Sequence, residues 1–124
     1  MKSCTGNEIG LFDINFDTGE SYWSFELKRM LGVRHDVPAE FHLLLQRIHP
    51  DDRRAFCRTA MQPFRADCPR NSSIEFRVVY DDDHVHWLHM ERRAIVREDD
   101  STDVMRIVGF AVEIGAPARL SCAA

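Results

Sequence analysis

The feature that most limits what this chain can fold into is a change in hydrophobic period. Over residues 74–114 apolar side chains return at every second position. They run as Ile74, Phe76, Val78 and Tyr80, then Leu88, Met90, Ala94 and Val96, then Val108, Phe110, Val112 and Ile114. Period two marks strands with one face buried, because successive side chains point to opposite sides. Arg92 breaks the apolar parity of the second run. Two acidic stretches, Asp81-Asp82-Asp83 and residues 98–103, separate the runs and supply turns. Three strands with no helix between them predict an antiparallel meander.

Ahead of them the period differs. Residues 10–16 alternate weakly, with Phe12, Ile14 and Phe16 opposed to Leu11, Asp13 and Asn15. Asp17-Thr18-Gly19-Glu20 offers turn chemistry before a returning strand at residues 21–23. Ser24 then caps a short helix with Glu26 in its first turn and apolar contacts from Phe25, Leu27, Met30 and Leu31. Gly32 stands at its left-handed stop. A second helix is expected from Pro38 at its first position, with Phe41, Leu44, Leu45 and Ile48 as a buried stripe. It should end by His49, because the residue before a proline avoids the α region. Pro50 opens a third helix, whose apolar face carries Phe56, Cys57, Ala60, Met61 and Phe64, and Pro63 should end or kink it. Residues 66–73 read as a polar loop.

Two strands, three helices and three strands make an α+β fold rather than alternating βα units. A chain of 124 residues suits one domain. The expected division is an N-terminal extension at 1–8, the domain at 9–114 and a linker or end segment at 115–124.

Several function classes are excluded. The formal charge is −4, and Arg92-Arg93 are flanked by Glu91 and the acidic residues 98–100. No basic footprint for nucleic acid results. Cys4, Cys57, Cys68 and Cys122 form neither a Cys-x-x-Cys pair nor a disulfide framework. No apolar run reaches the length of a membrane span, and none follows Lys2 as a leader would require. A cytoplasmic setting without membrane contact by this segment is therefore expected. No catalytic motif is present. His35, His42 and His49 recur at sevens and His84, His86 and His89 sit close together, but neither set has the convergence of a metal site. His49 reads as part of a helix junction, not as a base.

A set of short motifs goes further. Gly10-Leu11-Phe12-Asp13-Ile14-Asn15, Thr18-Gly19-Glu20 and Trp23-Ser24 lead to Arg29-Met30-Leu31-Gly32. His49-Pro50-Asp51-Asp52-Arg53 opens the long helix, and Glu75-Phe76-Arg77-Val78, Trp87-Leu88 and Ile107-Val108-Gly109-Phe110 follow. In this order and spacing the chain resembles the PAS family, in its fold 3 branch, over residues 9–114. It departs from that pattern with Asp82-Asp83 for the usual Asp-Gly, Asp100 for a Gly, and Glu113-Ile114-Gly115 for Asp-Ile-Thr.

The resemblance implies a five-stranded antiparallel sheet with helices packed on one face. It implies a sensory, signal-transduction module of the kind found in bacterial regulators and two-component systems, with no catalysis of its own. A histidine kinase or nucleotide cyclase output would belong to an effector domain in a longer parent protein. The candidate pocket lining is Phe12, Ile14, Phe41, Leu45, Phe56, Phe76, Val78, Leu88, Met90 and Phe110. The same residues would equally serve a fully packed core. The outer sheet face, with Glu75, Arg77, Trp87, Glu91 and Arg93, is the expected homodimer or partner surface. No cofactor is expected. Haem would need a cavity histidine, with His42 and His89 as candidates. Flavin chemistry would need an Asn-Cys-Arg-Phe-Leu motif, for which Cys57-Arg58-Thr59 does not substitute. The rival readings are a ligand-free dimerisation or interaction module and a small enzyme in an α+β cup using His49 or His89.

Overall fold

The computed structural model describes residues 8–64, 70–98 and 100–115. Five strands form one antiparallel sheet: β1 (Gly10–Asn15), β2 (Glu20–Trp23), β3 (Asn71–Val79), β4 (Val85–Arg97) and β5 (Asp100–Ile114). Their spatial order is β2-β1-β5-β4-β3. Three helices, α1 (Phe25–Leu31), α2 (Phe41–Arg47) and α3 (Pro50–Met61), cover one face, and α3 continues into a 3-10 turn, Gln62–Phe64. The α+β architecture expected from the period change is the one observed.

Local chemistry explains the joints. The Asn15 side chain accepts from the Asp17 and Thr18 amides, and Gly19 takes φ 77° to close the first hairpin. Ser24 Oγ accepts from the Leu27 amide at 3.2 Å, capping α1, and from the Leu11 amide at 2.9 Å. One hydroxyl thus ties the helix to β1. Gly32 ends α1 at φ 73°. Asp83 takes φ 69° in the β3–β4 turn, the left-handed position for which aspartate stood in place of glycine.

The His-Pro-Asp-Asp segment closes the sheet's β3 edge. Ile48 bridges Val78, and the His49 amide donates to the Arg77 carbonyl at 2.8 Å. His49 Nδ1 accepts from the Asp51 amide as the cap of α3. The Asp52 carboxylate takes the Arg77 amide at 2.8 Å and its guanidinium at 2.7 and 3.0 Å. An exposed row of strand donors and acceptors is thereby covered, which removes a site for unwanted strand pairing.

Four expectations need correction. Helix α2 starts at Phe41, not Pro38, because Glu40 is still extended (φ −137°, ψ 140°). Residues 38–40 run along the domain wall instead of coiling. Phe25, at the first position of α1, points outward and is 61% exposed. Strand β3 begins at Asn71 and β5 at Asp100, each taking residues assigned to loops, because Asn71 and Ser72 pair with Arg93 and Arg92, and Asp100 pairs with Arg97. The apolar parity of β5 faces outward. Its inner residues are Ile107, Gly109 and Ala111, which stand opposite Ala94, Arg92 and Met90. Small side chains there leave room for Phe12, paired with Gly109 on β1.

Candidate functional site: a cavity between sheet and helices

Between the inner sheet face and the helices lies a cavity of about 380 Å³. Its floor is Phe12, Ile14, Met90, Arg92 and Ile107, and its roof includes Leu27, Leu31, Leu44, Phe56 and Ala60. Trp23 closes one side. Around its mouth stand Phe16, Phe41, Met61 and Phe64, each 41–58% exposed. Phe16 and Phe64 meet edge to face at 5.5 Å, and Phe41 lies 6.3 Å from Phe56. Among the described residues, Ser21, Arg92 and the Trp23 indole bring polar groups to the wall. Such a chamber suits an apolar guest with one polar feature.

Gly109 makes the floor possible. A Cβ there would sit 2.1 Å from the Glu91 carbonyl oxygen and 2.5 Å from the Phe12 ring. Gly10 does the same for the wall, since a Cβ would meet the Leu27 backbone at 2.8 Å. Both glycines serve close approach.

Of the ten residues singled out from the sequence, Phe12, Ile14, Phe41, Phe56 and Met90 line the cavity. Phe76, Val78 and Leu88 are fully buried in the packed core beside it, and Leu45 packs at that core's margin. Phe110 lies on the other side of the sheet, paired with Leu11 and Glu91, because β5 turns its large side chains outward. Arg92 was missed. The signal was present in the sequence, as a charge at an inward position of β4.

His42 is exposed beside Glu40, and His89 lies on the outer face between Glu75 at 3.2 Å and Glu91 at 2.9 Å. Neither enters the cavity, so the described residues offer no histidine to a haem there. Cys57 is half-buried and outside the wall, so among the described residues no thiol lines the cavity. Among the described residues no cluster of His, Cys, Asp or Glu is placed to hold a metal.

The outer face carries Trp87 with the Arg77 guanidinium 5.3 Å from its ring, together with exposed Leu11, Val85 and Ile95. At the end of β5, Glu113 binds His86 at 2.7 Å. His86 in turn stacks on Tyr80, whose hydroxyl donates to the Met30 carbonyl. Burial, with the Glu113 charge beside it, raises the Tyr80 phenol above its ordinary value despite nearby Arg29. Asp52 shows the reverse balance. Burial would raise it, but the Arg77 hydrogen bonds and charge hold its carboxyl below the usual carboxylate value.

A model of the PAS fold matches residues 20–111. The sensor protein FixL of Bradyrhizobium diazoefficiens is 27% identical over 97 residues, which cover 78% of this chain and 19% of that protein's length. Among solved structures, a sensory box histidine kinase/response regulator from Burkholderia thailandensis superposes with a TM-score of 0.69 at 25% identity, covering 93% of this chain and 83% of that one. An RNA-binding light-oxygen-voltage receptor gives 0.71 at 17% identity, covering 93% of this chain and 33% of its own, a likeness of fold alone.

Proposed function

The chain belongs to the PAS family, and on that premise we propose that it is a sensory domain whose cavity takes up a small ligand and whose sheet relays occupancy to an effector. The observation that carries this is the apolar cavity, open at an aromatic rim, between helices and sheet. A ligand shifts a conformational equilibrium only by its differential affinity for two states. Here the coupling runs from the guest to Phe12, through the Phe12–Gly109 pairing to β5, and along β5 to Glu113. Residues 9–114 form the sensing unit in this reading. Any catalytic output sits, in this reading, elsewhere in a longer parent, which accords with the similarity to a sensory box histidine kinase/response regulator.

The outer face is the proposed homodimer surface. Large exposed side chains at Leu11, Val85 and Ile95, with Trp87 and Arg77 among them, favour it. Among the described residues no helix is long and apolar enough to cross a membrane. The test is to denature purified protein and identify released small molecules by mass spectrometry, and to titrate emptied protein with what is found. A stoichiometric ligand that rebinds supports the reading. Preparations that carry nothing, and that bind none of a broad set of apolar compounds, favour the ligand-free interaction module.

A further inference from the structure

Arg92 is 8% exposed, yet it lines the cavity. Among the described residues its hydrogen bonds come from Nη2, to the Thr59 carbonyl and to Ser72 Oγ at 3.0 Å. Nε is buried with no partner. Arg29, Arg34, Arg47, Arg77, Arg97 and Arg106 each pair with a carboxylate. Among the described residues none pairs with Arg92. Burial lowers its pKa and no acidic group acts against that, although a guanidinium still keeps its proton. The Thr59 carbonyl lies in the last turn of α3, whose dipole offers roughly half a negative charge. A full positive charge is therefore left undermatched in an apolar chamber, where a lone ion is costly.

We propose that the cavity selects an apolar monocarboxylate, whose carboxylate supplies the counter-charge that no described residue gives Arg92. This rests on the cavity's being a ligand site and names the chemical class it takes. At roughly 30 Å³ per water-sized group, the cavity's volume of about 380 Å³ holds a chain on the order of ten carbons. The apolar wall takes the chain. Arg92 takes the head.

The test compares decanoate with decanol, which share a chain and differ in charge, by calorimetric titration of the full chain. Wild type should bind decanoate at least about tenfold more tightly than decanol, since charge-assisted bonds are the stronger class. Arg92→Met should abolish that preference while still binding decanol, and Arg92→Lys should keep part of it. The wild-type comparison decides the matter even where a variant fails to fold. Decanol binding as tightly as decanoate overturns the carboxylate preference and leaves the cavity standing as a ligand site. A folded chain that binds neither overturns both.

Discussion

At the scale of single residues, Asp52 and Gly109 show how few positions hold the site's frame. The Asp52 carboxyl is depressed in the folded chain, so its stabilisation is full above the unfolded value of about 4 and fades as pH falls through the folded value. Asp52→Asn should cost about 1–3 kcal/mol at pH 7. The gap between variant and wild type should narrow at pH 3. Urea unfolding at both pH values measures it. Gly109→Ala should destabilise by about 1–3 kcal/mol or more, because the nearest of the three atoms in the way is a backbone oxygen that cannot swing aside. A melting curve within error of wild type would contradict the close packing of Phe12 on β5.

At the scale of elements, Ser24 is the joint between helix and sheet. Ser24→Ala removes an N-cap worth about 1 kcal/mol and also strands the Leu11 amide, so thermal melts should show about 2 kcal/mol lost. Ser24→Thr should restore much of it. Such joints were largely legible in the sequence. Caps and stops depend on neighbouring residues only, and Ser24, Gly32, Pro50 and the limits of β4 are placed where local chemistry put them. What depends on distant partners was not legible. Pro38 looks like a helix start, but the extended run through Glu40 sets Ala39 in the cavity wall. Phe110 looks like core, yet pairing with β1 and β4 decides which parity of β5 turns inward. The cavity residues read equally as packed core, because an apolar side chain is the same against a guest or a neighbour. Arg92, a charge at an inward position of β4, is the residue on which the proposed distinction between the two rests.

At the scale of the whole molecule, the sheet separates two surfaces to which the proposed function gives different tasks. The inner face encloses the cavity, and the outer face, with exposed Leu11, Val85 and Ile95, is the proposed surface for a second copy. Sedimentation at increasing concentration should show dimerisation, and Leu11→Arg combined with Ile95→Arg should abolish it while leaving decanol affinity within about twofold, since the sites lie on opposite faces. Loss of both properties together would mean that the dimer forms the cavity. The claim on which all of this depends is that the chamber between sheet and helices admits a guest. Methyl-resolved NMR during a decanol titration tests it most directly. The account predicts saturable shifts at Ile14, Leu27, Leu31, Leu44 and Ile107, with Val85 and Ile95 unmoved. Shifts confined to the outer face, or none that saturate, would contradict it.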